Sequence, residues 1–142
     1  MRILAESTVQ IAPALDGFRL FLHVLGATIW VGGQFTLAAL VPVLRKANPE
    51  LPKTVARAFN KIAWPAFGLL IVTGIWNMTS IPSDAPKSYH AVLGIKMAVV
   101  TLSGAAAHLH SRSKNPKSIA IWGSISGLTA IAATYVGVLL AG

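Results

Sequence analysis

The stretch FLHVLGATIWVGGQF, residues 21–35, decides the fold. With its flanks, this apolar run extends from about residue 18 to residue 44, which is longer than the about 20 residues that a helix needs to cross a bilayer. One ionisable residue, His23, lies near the depth at which the bilayer's edge would fall. The stretch therefore predicts a membrane-spanning helix with an imidazole that needs a functional explanation.

The composition also favours a membrane protein. Of the 142 residues, 54% are hydrophobic and 11% are charged, whereas a typical soluble domain has about 25% charged residues. Lipid removes the need for a polar surface around such a chain. The absence of cysteine excludes disulfides, iron–sulfur clusters, thiolate zinc sites and cysteine nucleophiles. The N-terminal stretch has no long apolar core, so we do not expect a signal peptide.

Four apolar stretches predict four membrane-spanning helices in a single domain, residues 1–142. They cover about 18–44, 62–79, 90–108 and 119–140. Because the connections are short, the predicted fold is all-α, an integral membrane four-helix bundle with up-down topology. Between the first two spans, residues 48–61 are predicted to form a separate amphipathic helix at the membrane surface, with Val55, Ala56 and Phe59 facing lipid.

The distribution of basic residues predicts the orientation. Only Lys87, opposed by Asp84, lies between the second and third spans. The other two connections are basic, and basic connections stay in the cytoplasm. Both termini are therefore predicted to lie outside the cytoplasm, in a multi-pass protein of the cell inner membrane. The same rule explains the net charge of +8, so nucleic acid is not an expected partner. The two basic connections contain Arg45, Lys46, Lys53, Arg57 and Lys61, and Arg112, Lys114 and Lys117.

Ionisable residues inside the spans indicate a candidate site in the outer half of the bundle. At a rise of about 1.5 Å per residue, His23 lies about 10 Å below the outer edge, and Lys96 lies about 9 Å deeper than His90. The first and third spans are diagonal in an up-down bundle, so a b-type haem is predicted between them, with His23 as one metal ligand and His90 or Lys96 opposite. The small residues expected to leave room for the porphyrin are Gly26, Ala27, Gly32, Gly33 and Gly94.

Other residues have both a functional and an ordinary interpretation. Arg19, one turn above His23, is predicted to pair with haem propionates, but it is also a suitable headgroup anchor. Lys96 is the candidate catalytic residue, although a lysine can also extend its ammonium toward the membrane surface. His108 is a candidate cofactor contact, and a solvated inner boundary explains it equally well. The segment GSISG, residues 123–127, predicts close helix packing, either within the chain or at a dimer face.

The motifs of the first and third spans resemble a known family. In HVLGATIWVGG, Trp30 follows His23 by seven residues and Gly33 follows it by ten. In IKMAVVTLSGAAAHLH, His108 follows Lys96 by about three turns. Both patterns resemble the four-helix bacterial protoporphyrinogen IX oxidases of the HemJ type. The resemblance includes Trp30, which we count among the candidate cofactor contacts.

The second span extends this resemblance, and a related family shares it. WPAFGLLIVTGIW has an early proline, Pro65, and a late Gly-x-Trp formed by Gly74 and Trp76. The chain is also similar to the CopD-type copper-resistance membrane domain, whose third helix has a lysine seven residues after a tyrosine, as Tyr89 and Lys96 are here.

The resemblance covers about residues 18–112 and implies a four-helix membrane protein. From the oxidase family it further implies a b-type haem, with His23 and Lys96 needed for activity. The chain departs from these families at two positions. His90 stands where the copper family usually has glycine, so a His90 ligand would be peculiar to this protein. Arg45 follows Pro42 by three residues, whereas the oxidases often have the arginine directly after the proline, and this shift weakens the assignment of the same reaction.

Three functions remain open on the sequence. The first is a haem protein with a redox role, in electron transfer or as an oxidase, with a quinone or porphyrin as partner; whether it is an enzyme is left open. The second is a CopD-like copper transport or resistance protein, although soft ligands are few, with no cysteine and with Met78 and Met97 as the methionines in or near the spans. The third is a non-catalytic accessory subunit of a homodimer or larger membrane complex.

Overall fold

The structure of the protein is a computed structural model that describes residue 11 and residues 13–141. The expectation that the N-terminal stretch is not a signal peptide falls mainly on residues 1–10, which lie outside the described residues.

Four long helices make up the described chain. They are α1 (Ala14–Ala47), α2 (Leu51–Met78), α3 (Lys87–Arg112) and α4 (Pro116–Ala141). Each is long and apolar enough to cross a membrane, and residues 13–141 contain no strand. The predicted fold, an all-α membrane-spanning four-helix bundle, is confirmed. Three helices extend a few residues beyond the predicted spans, and α2 begins eleven residues before its predicted span and ends one residue before the end of it.

The bundle has a polar, small-residue interior and an apolar exterior. The largest fully buried side chains are Thr73, Ser103 and Ser126. Large apolar side chains are instead exposed; for example, Leu128 is 66% exposed and Val138 is 65% exposed. This arrangement fits a protein surrounded by lipid, because small residues let helices approach closely and apolar residues face the acyl chains.

The four helices are arranged as two hairpins, α1–α2 and α3–α4. Within the first hairpin the backbones approach closely at Gly26, where a Cβ atom would lie 3.0 Å from the carbonyl oxygen of Ala66. Between the hairpins the contacts are made mainly by side chains, such as the Phe67 ring of α2, which lies over Gly104 of α3. The space between the hairpins is therefore the place where a side-chain site can form.

The prediction of a separate amphipathic helix over residues 48–61 is wrong, because α2 is continuous from its first turn. Pro52 starts the helix at a position where a missing N–H is harmless, and no glycine or proline follows until the span itself. Val55, Ala56 and Phe59 are half-buried, and the Phe59 ring packs over Gly33 of α1. These residues face α1 because Gly33 leaves space for the aromatic ring.

A π-helical turn, Thr28–Gly32, interrupts α1 near its middle. Such turns insert an extra residue into the helical repeat and are frequent at functional sites. Within the turn, Trp30 is buried, and its carbonyl oxygen accepts a hydrogen bond from Gln34 Nε2 at 3.0 Å. The turn also contacts α4 and thereby connects the two hairpins.

The up-down topology brings the two basic connections, α1–α2 and α3–α4, to the same end of the bundle, away from Asp84. That this end faces the cytoplasm, with both termini outside, stays a prediction from the sequence.

Candidate ligand site between the hairpins

His23 is half-buried on α1, and its ring packs against α2. Its Nδ1 atom lies 2.8 Å from Thr73 Oγ1. The Thr73 hydroxyl donates its single proton to the carbonyl oxygen of Leu69 at 2.7 Å, so its oxygen accepts a hydrogen bond from the N–H at Nδ1 of His23. This places the proton of the neutral imidazole on Nδ1 and leaves the lone pair of Nε2 available to a ligand.

Lys96 is half-buried on α3 and lies against α4. Its Nζ atom is 3.0 Å from the position that a Cβ atom on Gly137 would occupy, and its Cε atom is 3.5 Å from the same position. The absence of a side chain at Gly137 thus gives the lysine a place beside α4. His23 and Lys96 each lie nine residues after the first residue of their helices, Ala14 and Lys87, so they lie at similar depth in the bundle. We treat His23 from one hairpin and Lys96 from the other as one candidate site and call it the outer site.

The outer site has no acidic partner in the described chain. The ion pair that residues 13–141 form joins Arg19 to Asp16, at 3.2 Å, and does not include Lys96. The same residues contain no group of three or more His, Asp or Glu side chains that could hold a metal ion. The outer site is therefore rich in nitrogen donors and positive charge, and it is not a closed metal cage.

His90 is not brought to the outer site. It is exposed in the first turn of α3, with its ring 6.1 Å from that of Tyr89. Six residues separate it from Lys96, which places it about 120° around the helix from the lysine. A role of His90 as a metal ligand stays a prediction, and the structure does not place it opposite His23.

Arg19 is 8% exposed and lies at the outer end of the first hairpin. Its guanidinium pairs with Asp16 and donates a hydrogen bond to the Ser80 hydroxyl. In the described chain, Arg19 Nε and Asn77 Oδ1 are buried without a hydrogen-bond partner. The structure therefore assigns Arg19 at least a structural role in closing this end of the bundle, and the predicted propionate contact stays a prediction.

Trp30 belongs to a second polar cluster, deeper in the bundle. Its Nε1 donates to Ser103 Oγ at 3.1 Å, and Ser103 Oγ donates to the Ser126 carbonyl at 3.0 Å. Ser126 Oγ in turn lies 2.9 Å from Gln34 Oε1 and donates to it. We call these four residues the central layer. Trp30 is 4% exposed, and its indole packs on the Phe67 ring with centroids 4.4 Å apart.

The histidines of the inner half lie apart from the outer site. His108 is exposed, and its ring contacts that of Trp64 with centroids 6.3 Å apart. His110 donates from Nδ1 to the Ile119 carbonyl at 2.7 Å and thus ties the α3–α4 connection. His108 stays a candidate cofactor contact only for a separate inner site.

The glycines of α4 are used for packing within the chain. Gly123 faces the His110 ring, since a Cβ atom there would lie 2.9 Å from Nδ1. A Cβ atom on Gly127 would lie 3.7 Å from the Phe35 ring. Of the two interpretations of GSISG, the intramolecular one therefore agrees with the structure, and dimer formation stays a prediction.

Five residues of the two polar clusters were not predicted from the sequence: Thr73, Gln34, Ser103, Ser126 and Gly137. A signal was present, because each is a small or polar residue inside an apolar span. Hydroxyl side chains in helices often bond to a carbonyl of their own helix, however, and Thr73 does this as well as contacting His23. Sequence alone does not distinguish the two uses.

Comparison with known proteins finds two similar proteins, one of which is a copper transport protein. The chain is 34% identical over 90 residues to an uncharacterised protein of Aquifex aeolicus (strain VF5), an alignment that covers 59% of this chain and 62% of that protein. It is 36% identical over 78 residues to the copper transport protein CutJ of Bacillus subtilis (strain 168), covering 52% of this chain and 14% of CutJ. No protein-family model and no solved structure matches the chain. The similarity and the four apolar helices fit a CopD-like membrane family.

Proposed function

We propose that this chain is a membrane domain that handles copper, with His23 as the nitrogen ligand inside the bundle. The observation that supports this proposal most directly is the similarity to the copper transport protein CutJ over about half of the chain. Because the aligned part is a small fraction of CutJ, the proposal concerns copper contact within the membrane domain and leaves the activity of the whole relative aside.

The geometry of His23 suits this role. Imidazole is a good copper ligand, and a metal-bound histidine usually donates its other N–H to a fixed acceptor. Thr73 is such an acceptor for Nδ1, at 2.8 Å, and this bond leaves Nε2 without a role in it. A neutral Lys96 amine is a second nitrogen donor, whereas its protonated form repels the metal ion.

The small number of ligands favours passage of copper over storage. Met78 and Met97 are 41% and 40% exposed, so their thioethers are not enclosed with His23. Conduction requires a site that binds an ion well enough to admit it and weakly enough to release it. A single imidazole with few neighbouring donors meets the second condition better than a three-ligand cage does.

A haem-dependent redox role is the second candidate, because His23 Nε2 is also a suitable ligand for haem iron. The described residues do not fit a porphyrin held between α1 and α3 by His23 and His90. Gly26 and Gly33, expected to leave room, are instead filled by packing against α2. Gly32 and Gly94 face the exterior, and Ala27 is half-buried. Haem binding, with a quinone or porphyrin partner, stays a prediction, and Lys96 stays the alternative to His90 as the second axial ligand.

One preparation tests both candidates. The full chain is purified in nanodiscs of zwitterionic lipid, its absorption spectrum is recorded, and Cu(I) is titrated in competition with a chromogenic chelator. We expect no Soret band, and we expect His23→Ala to weaken copper binding at least about tenfold, as loss of a metal ligand does. The matched variant His90→Ala should keep the wild-type affinity, because that imidazole lies on another face of α3.

Two results would count against the copper proposal. Equal copper affinity in His23→Ala and wild type removes His23 from the ligand set. A Soret band in the purified protein that His23→Ala abolishes would favour haem as the resident group.

A further inference from the structure

Lys96 is a cation in an apolar bundle for which the described chain provides no counter-charge. Its side chain is half-buried, and Nζ lies beside Gly137, so the ammonium lies against α4. Intramembrane cations usually pair with acidic side chains or face a functional cavity. Nearer the outer end of the bundle, the chain has such a pair, in which Asp16 binds Arg19 at 3.2 Å.

The acidic residues of the described chain lie elsewhere. Asp16 is engaged with Arg19, Asp84 is in the α2–α3 connection, and Glu50 immediately precedes α2 at the opposite end of the bundle. His23, the other ionisable residue at the outer site, is itself basic. An apolar environment makes an uncompensated charge unfavourable, so the site as built favours a ligand that brings negative charge.

We propose that Lys96 holds a small monovalent anion beside Gly137, within the α3–α4 hairpin. The ammonium offers three N–H donors to such a ligand, and the missing side chain at Gly137 lets the ammonium lie against α4. The anion site goes beyond copper binding and stands without it. If copper binds at His23, the anion also offsets the lysine charge beside the metal ion.

The test uses formate as the probe and the full chain in nanodiscs of zwitterionic lipid, with gluconate replacing formate at constant ionic strength. Thermal unfolding is followed by tryptophan fluorescence without copper. A ligand of the folded state raises Tm, by about 4 °C at ten times its Kd for a chain of this size. We expect a saturable rise in wild type.

Three variants locate the effect. Lys96→Gln should abolish the formate-dependent rise, and Gly137→Ala should weaken it, since the added methyl group would lie 3.0 Å from Nζ and displace it. Lys87→Gln removes the same charge from an exposed position on the same helix and should leave the rise intact.

The proposal is overturned if formate does not change Tm in wild type, or if the rise persists in Lys96→Gln. It is also overturned if formate has no effect but anionic lipid in the nanodisc raises Tm through Lys96, because the ligand would then be a headgroup phosphate. Copper binding is measured separately, so failure of one proposal leaves the other decidable.

Discussion

Two polar clusters lie about 10 Å apart along the bundle axis, seven residues of α1 from one another. In the central layer, Trp30, Ser103 and Ser126 have hydrogen-bond partners supplied by neighbouring helices. In the outer site, His23 Nδ1 has a hydrogen-bond partner, the Thr73 hydroxyl. Neither Nε2 of His23 nor the Lys96 ammonium takes part in this bond or in the ion pair between Arg19 and Asp16.

The comparison distinguishes polar groups that hold the helices together from polar groups that can bind a ligand. A satisfied buried network specifies how helices pack, whereas donors and charges left open at membrane depth indicate a ligand. Changes in the central layer should therefore affect stability and leave ligand binding intact, and changes in the outer site should do the reverse.

The largest expected effect is on packing beside the central layer. In Gly104→Ala, the new Cβ would lie 2.6 Å from Phe67 Cζ, and the Phe67 ring is packed against Trp30 and Trp64. Overpacking of this kind costs about 1–3 kcal/mol, and we expect a value near the upper end, measured by chemical or thermal unfolding in nanodiscs.

Gly94→Ala is the control, because the same helix has open space at that position. It should be neutral or slightly stabilising. Equal destabilisation by both substitutions would show that the contact between Phe67 and Gly104 is not a tight one.

Ser103→Ala should have the next largest effect on stability. It leaves Trp30 Nε1 buried without an acceptor, which costs about 1–3 kcal/mol. Ser124→Ala, at an exposed position of α4, should change the free energy of unfolding much less. If Ser103→Ala lowered copper affinity without lowering stability, the central layer would belong to the ligand site.

Thr73→Val tests how the outer site orients its imidazole. The substitution keeps the shape of the side chain and removes the acceptor for His23 Nδ1, so we expect about tenfold weaker copper binding, as for loss of a residue that orients a metal ligand. Thr101→Val is the matched control, because the Thr101 hydroxyl bonds to a carbonyl of its own helix and is exposed. Unchanged affinity in Thr73→Val would show that the imidazole does not depend on this bond.

Lys96→Met should give the smallest effect, an increase in copper affinity. It removes a positive charge at the depth of His23, and in gluconate buffer we expect a gain of about threefold, in the range of two charges interacting in a water-like medium. Lys87→Met removes a charge from an exposed position further out and should change the affinity less. A strong loss of copper binding in Lys96→Met would instead make the Lys96 amine a metal ligand.

The length and hydrophobicity of the spans were enough to predict the four helices and their up-down order, since both follow from the thickness of a bilayer. The grouping of His23 with Lys96 in the outer half also follows from helix rise. The position of His90 was not predictable in the same way, because depth does not determine which face of the helix a residue occupies.

The roles of the glycines were harder to predict. In the sequence, Gly33 and Gly104 cannot be distinguished from Gly94, since all three are glycines inside apolar spans. In the structure, aromatic rings pack over Gly33 and Gly104, whereas Gly94 has open space beside it. Which ring reaches which glycine depends on the rotation of each helix, and the π-helical turn at Thr28–Gly32 changes the rotation of α1 without a distinctive sequence signal.

The central claim is that Nε2 of His23 is the open ligand atom of the outer site. X-ray absorption spectroscopy of the copper-loaded protein in nanodiscs tests it directly. We expect the outer-shell scattering typical of an imidazole ring around the copper, lost in His23→Ala and retained in His90→Ala. Copper bound with no imidazole scattering, or with the same scattering in His23→Ala, would contradict it.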